Sequence, residues 1–461
     1  MVVKLARWIV ALAISGAMMA LVLAGAAKAQ DAVGQWHATL ASATGEVRIG
    51  VEITARPSGG YQGRLLSPDQ SQIWLPLDTV TLEAGHLILA GKRLNGRYEG
   101  WWDEAQSAWV GQWTQGATMP LVFTKGPPEP RLRPQTPHPP FPYRAEDVAF
   151  DSAPGVRLAG TLTLPQGPGP FPAAVLITGS GAQDRDESLM GHKPFMVLAD
   201  ALTRRGIAVL RMDDRGFAKS TGDFAEATSE DFAADTAAAV ALLRSRREID
   251  SRRIGLIGHS EGGMIGPMVA VADPRIAFVV MLAGPGVPTR ELLVAQRAAV
   301  ARSAGIAADA ITRNEQVMGQ VEAALAQDKT LDQAEADAAN VLVEAGMPAT
   351  NADATVRRLT SPWYKWFIAY DPRPTLAKVR VPVLALNGDK DVQVVSKQNL
   401  PAIREALKAN PDAEVVELAG LNHLFQTAGT GGPAEYAKIE ETIAPAALNL
   451  IANWVVDHAV R

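Results

Sequence analysis

The 461-residue chain contains no cysteine. That absence removes disulfides, thiol nucleophiles and cysteine-ligated metals from consideration. A basic excess is missing too: 44 Lys and Arg stand against 49 Asp and Glu, a formal net charge of −5. A nucleic-acid binder needs cations that displace counterions from phosphates, so nucleic acid is not an expected partner. What is present is 47% apolar and 20% charged residues. That is an ordinary globular composition, at a length suited to two or three domains.

Lys4 and Arg7 precede the apolar stretch IVALAISGAMMALVLAGAA, and Ala27, Lys28 and Ala29 form the small-x-small pattern of a signal-peptidase site. Residues 1–29 therefore read as a signal peptide. The mature protein is expected in the periplasm or secreted, with no stable membrane insertion. The stretch is long for a signal peptide, so an uncleaved anchor is the alternative. Export without disulfides is no obstacle, because a chain of this size needs no covalent staples.

Residues 30–125 read as antiparallel β. EVRIGVEIT places Val47, Ile49, Val51 and Ile53 on one face, and further short runs are separated by turn residues, the pattern of a small barrel or sandwich. Two runs suggest a hairpin that pairs Tyr98, Gly100 and Trp102 with Trp109, Gly111 and Trp113. Six tryptophans in this region (Trp36, Trp74, Trp101, Trp102, Trp109 and Trp113) admit a ligand-binding role, but filling a small β core is the favoured reading. Residues 126–144 are proline-rich, an extended linker. From 145 to 461 strands and helices alternate, the signature of a mainly parallel sheet. A helical stretch over 287–375 interrupts the alternation.

The motif GHSEGG, residues 258–263, follows the apolar strand RIGLI and opens an apolar helix. A serine on such a strand-to-helix turn has its Oγ exposed at the C-terminal edge of the sheet, so Ser260 is the candidate nucleophile. Its base is sought among seven histidines. His423 in GLNHLF lies late in the chain on a loop beyond a strand, and the order Ser…Asp…His favours it; His192 in GHKPF is the competitor. NGDKD offers two acids to orient the base. Asp391 is favoured, while Asp389 suits holding backbone amides in its turn. The oxyanion requires fixed donors, here the backbone N–H of Glu261 and the backbone at Ser180 between Gly179 and Gly181.

These segments, together with LITGSGAQDRDE and RMDDRGFAKSTGDF, resemble those of α/β-hydrolases, in particular bacterial carboxylesterases and serine peptidases related to dienelactone hydrolase. The resemblance covers residues 145–461. It implies an α/β-hydrolase sheet with a helical lid, and acyl transfer to water by Ser260, His423 and Asp391 without metal or cofactor. The expected activity is cleavage of small to medium acyl esters. A serine peptidase is the runner-up, and a non-catalytic binding protein built around the tryptophan-rich β domain is a third reading. The sequence leaves the oligomeric state open, a homo-oligomer included.

Within the lid, Trp363, Trp366, Phe367 and Tyr370 fall at i, i+3, i+4 and i+7. Such a face either packs the lid down or lines the acyl pocket, and Trp363, Trp366 and Phe367 are the candidate pocket residues. Glu261, next to the nucleophile, is expected at a helix N-terminus where negative charge is favoured. Arg185 or Arg215 is expected to pair with it.

Overall fold

The computed structural model describes residues 32–42, 45–68, 74–92, 94, 96–115, 117–128, 132–327 and 329–460. The signal-peptide reading of residues 1–29 lies outside these. Among the described residues no helix is long and apolar enough to cross a membrane. The chain divides into two compact units that part between Glu129 and Pro130.

The first unit is one curled nine-stranded antiparallel sheet. Its hairpin pairs Tyr98 with Trp113, Gly100 with Gly111 and Trp102 with Trp109, as the alternation predicts. Ile49, Val51 and Ile53 point into a core with Trp36, Trp109 and Trp113, all at most 4% exposed. Tyr98 is also buried there, its hydroxyl donating to the Trp109 carbonyl at 2.8 Å. The tryptophans thus serve mainly as core, with Trp101 the exposed exception. The sheet curls far enough that a Cβ on Gly63 would meet the Val80 side chain at 3.1 Å.

The second unit carries an eight-stranded sheet in the order Arg144–Ala153, Val156–Leu164, Ala208–Met212, Phe171–Ile177, Ile249–His259, Val279–Leu282, Val383–Gly388, Ala413–Leu418. The first three run antiparallel to their neighbours in turn, and all later pairings are parallel. Central strands covered on both faces are continuously apolar, and Val383–Gly388 is buried at every position. One face packs against Pro194–Thr203 and Pro445–Val460 through Phe195, Leu198, Ile451 and Val455. The other packs against Ser229–Ser245, Glu261–Ala272 and Ser396–Ala406 through Leu243, Ile265 and Leu400.

The chain reverses its direction of travel across the sheet between Phe171–Ile177 and Ile249–His259. The loops leaving the C-terminal ends of these neighbouring strands open a crevice at that switch point, where open α/β sheets bind ligands.

Among the described residues six helices, from Thr289–Ser303 to Arg373–Leu376, are inserted between the adjacent strands Val279–Leu282 and Val383–Gly388. This lid has its own core of Val321, Ala338, Leu342, Val356, Leu359 and Tyr364. Its neck is closed by the Thr289 amide donating to the Tyr370 carbonyl at 3.0 Å.

The proline-rich segment differs from the free spacer the composition suggests. Arg133 donates to the carbonyls of Met190, Ile439 and Ala437 at 2.7–3.1 Å, and Gln135 Nε2 donates to that of Ile443 at 2.7 Å. Prolines supply no amide donors, so side chains fasten this stretch to the second unit. Helix Ser229–Ser245 has Thr228 as its N-cap, paired with Asp231 in a capping box, which leaves the Ser229 hydroxyl for another partner.

Candidate active site

Ser260 ends strand Ile249–His259 and starts helix Glu261–Ala272 with φ 53° and ψ −116°. A non-glycine residue in this region costs on the order of 1–3 kcal/mol and persists only where its surroundings impose it. Two glycines make the turn sterically feasible. A Cβ on Gly258 would sit 1.9 Å from the Gly262 carbonyl oxygen, and one on Gly262 would sit 2.2 Å from that of Ile177. The turn is held by the Ser260 amide donating to Leu282 O at 2.8 Å. Among the described residues the Ser260 hydroxyl makes no hydrogen bond.

His423 is buried and its Nδ1 lies 2.8 Å from Asp391 Oδ2. Asp391 Oδ1 accepts from the amides of Gln393 and Val394 at 2.7 and 2.9 Å, so the carboxylate is fixed before it meets the ring. Asp389 instead accepts from the Gly420 amide at 2.7 Å and acts as a turn brace. His192 lies elsewhere, between Thr442 Oγ1, the Tyr436 carbonyl and Gln426 Nε2. Burial pushes it down to about 4.

Ser260, His423, Ser180 and Glu261 share the wall of a cavity of about 590 Å³, within the usual range for small-molecule sites. Trp363, Tyr364, Phe367, Leu292, Met318 and Leu359 of the lid form its apolar side. Arg297 also reaches the wall, already paired with both oxygens of Glu315 at 3.0 and 2.9 Å. Trp363 stacks on Phe367 with ring centroids 5.0 Å apart.

Trp366 does not line this cavity. It stacks on Tyr370 at 4.8 Å and borders a separate hollow with Met268 and Val271. The lid helix Pro362–Ala369 contacts neighbours on two sides, so the four aromatics divide into two pairs instead of forming one stripe. Tyr364, absent from the sequence expectation, lines the cavity instead.

Glu261 also departs from expectation. Arg185 pairs with Asp213 at 2.6 Å and Arg215 with Asp235 at 2.7 Å, so neither arginine reaches Glu261. Glu261 is 2% exposed and its carboxylate is held by neutral donors: the Ser229 hydroxyl at 2.5 Å, Trp363 Nε1 at 2.9 and 3.1 Å, and the Ser180 hydroxyl. Burial raises its carboxyl above the ordinary range, and these donors offset part of that rise. As the first helical residue, Glu261 has an N–H without an intrahelical acceptor.

His259 and Glu187 are not among the site residues to which the sequence points. The structure buries both, with His259 Nδ1 2.9 Å from Glu187 Oε1 and Nε2 3.0 Å from the His423 carbonyl. No short motif signals this pair, because 72 residues separate its members.

A serine on a strained strand-to-helix turn, at the switch point of this strand order and beside a lid, defines an α/β-hydrolase of the serine-hydrolase class. Residues 154–425 match the X-Pro dipeptidyl-peptidase (S15) family, and the chain belongs to it. Esterase EstD of Thermotoga maritima is 27% identical over 315 residues, covering 68% of each chain. The uncharacterized protein YfhR of Escherichia coli is 34% identical over 124 residues, 27% of this chain and 41% of that protein. Among solved structures, 2,6-dihydroxy-pseudo-oxynicotine hydrolase is similar at 18% identity and a TM-score of 0.40, covering 69% of this chain and 68% of that one. The Pyrococcus furiosus esterase Pf2001 is similar at 16% identity and 0.40, covering 60% and 82%.

Proposed function

We propose that this chain is an exported serine esterase that cleaves small to medium acyl esters through an acyl-enzyme. The observation that carries the reading is the 2.8 Å Asp391–His423 pair sharing one cavity wall with Ser260 on its strained turn. In this reading Ser260 Oγ attacks the ester carbonyl while His423 Nε2 takes its proton. Asp391 holds the ring with Nδ1 protonated, so that Nε2 is the free acceptor. The charge that builds on the carbonyl oxygen meets the Glu261 N–H and the backbone at Ser180. Collapse expels the alcohol with the proton from His423. Water then attacks the acyl-serine, gives its proton to His423, and releases the acid and Ser260. The open Ser260 hydroxyl is compatible with this, since catalytic hydrogen bonds often tighten only once substrate is bound. Trp363 and Phe367 supply an apolar wall for the acyl chain.

A serine peptidase is the second reading, favoured by the family to which residues 154–425 belong. The same triad serves amides, and a panel of acetyl, butyryl and octanoyl nitrophenyl esters against aminoacyl-naphthylamides separates the two. Ser260→Ala is expected to lose essentially all turnover while folding normally. Full activity in that variant would overturn both readings. The export part is checked by the mass of the mature protein, expected to begin at Gln30.

A further inference from the structure

We propose that His259 and Glu187 form a buried imidazolium–carboxylate pair that positions His423 and holds a fixed positive charge beside it. The proposal rests on the reading of Ser260 and His423 as nucleophile and base. Its starting point is a count of protons. His259 Nδ1 faces Glu187 Oε1 at 2.9 Å, and its Nε2 faces the His423 carbonyl oxygen at 3.0 Å. A carbonyl oxygen only accepts, and so does an ionised carboxylate. Glu187 Oε1 additionally accepts the Gly179 amide at 2.8 Å, which leaves that oxygen poorly placed to carry a proton of its own. A neutral imidazole has one N–H and cannot satisfy two acceptors, so the ring is doubly protonated. Burial opposes a charged His259, but the Glu187 charge and hydrogen bond and the His423 carbonyl outweigh it and raise the ring.

The pair joins three segments that meet only in the folded site. Glu187 grips the Gly179 amide, one residue before Ser180. His259 precedes the nucleophile, and its far nitrogen fastens the backbone of His423. The ionisable groups facing His259 are Glu187, Asp391 and His423. The two histidine rings lie 4.7 Å apart, centroid to centroid, so the imidazolium opposes the arrival of a second positive charge on the base. His259 acts through His423 and is a positioning residue. Glu187 keeps it charged.

The test compares the full-length enzyme with His259→Gln, Glu187→Gln and the double variant on nitrophenyl butyrate across pH, with fluorophosphonate labelling of Ser260 in parallel. His259→Gln removes the cation and leaves the anion. Its kcat is expected to fall about tenfold or more with KM within a few-fold, and the acidic limb of kcat/KM to move up by about one pH unit. Glu187→Gln keeps the shape and should lower kcat with a smaller limb shift. The double variant should be no worse than the poorer single, because one unit has been removed twice. Ring nitrogen chemical shifts of wild-type His259 should report two N–H groups at neutral pH, independently of turnover. A limb that stays in place in a labelled, folded His259→Gln enzyme overturns the pair's role, as does a single N–H on the wild-type ring. A wild-type enzyme that Ser260-directed probes never label removes the triad reading, and with it this proposal.

Discussion

Asp389 and Asp391 are two residues apart on one loop, yet one braces a backbone turn and the other orients an imidazole. The difference comes from direction. Asp391 turns inward and is 3% exposed, whereas Asp389 spans to the neighbouring loop. Asp391→Asn should therefore cut kcat by about 10⁴, the size of effect expected when a catalytic histidine loses its orienting anion. Asp389→Asn should leave kcat within a few-fold; steady-state kinetics on one ester decide both. His192, the rejected base, makes a stability prediction. Its folded pKa of about 4 lies below the ordinary 6.5, so the unfolded chain binds more protons between these values. Stability from this residue is complete above pH 6.5 and is lost as pH falls toward 4, about 3 kcal/mol in all. Chemical denaturation at pH 7 and pH 4 should show a smaller loss in His192→Asn than in the wild type.

At the scale of elements, the lid helix Pro362–Ala369 presents Trp363 to the helix that follows Ser260 and Trp366 to another hollow. Trp363→Phe keeps the ring but removes a donor from a buried carboxylate, an omission that costs about 1–3 kcal/mol. It should loosen the lid, seen as faster amide exchange over residues 349–369 and a raised KM. Trp366→Ala should leave ester kinetics unchanged. Sequence period alone could not separate these two tryptophans, since i and i+3 count as one face until it is known what packs on each side. The arginine expectation failed for a related reason. Arg185 and Arg215 each had a nearer acid, Asp213 and Asp235, supplied by the loop after a strand and by a helix whose approach the sequence does not encode. Where the signal is local, the backbone follows the expectation. The GHSEGG turn has the backbone that a serine between close-packed glycines requires, and the Tyr98–Trp113 hairpin register follows from alternation and turn length. The Glu187–His259 pair was illegible because it is defined only by tertiary proximity.

For the whole molecule, Ser260, His423, Asp391, Glu187, His259 and Glu261 all belong to the second compact unit. A chain of residues 132–461 should accordingly retain fluorophosphonate labelling and ester turnover within a few-fold of the full protein. Loss of both on truncation would show that the β unit contributes to the site. The strand order was readable as a class from alternating strands and helices, but the fastening of the proline-rich segment was not, because proline content signals an extended backbone and says nothing about its partners.

The lid leaves the sheet after one strand, returns in the next, and is closed at its neck by Thr289 and Tyr370. Most of its helices pack on a core of their own, while Leu292 packs with Val394 and Leu376 joins the core beneath the sheet. An insertion that leaves and re-enters at adjacent strand ends behaves as a cassette with two crossover points. Among the described residues only Trp363 reaches from it to the Glu261 carboxylate. Over evolutionary time the lid wall of the cavity can therefore drift while the loops of the sheet stay constant, and a transplanted lid has the Trp363 indole and the Leu292 and Leu376 contacts to preserve.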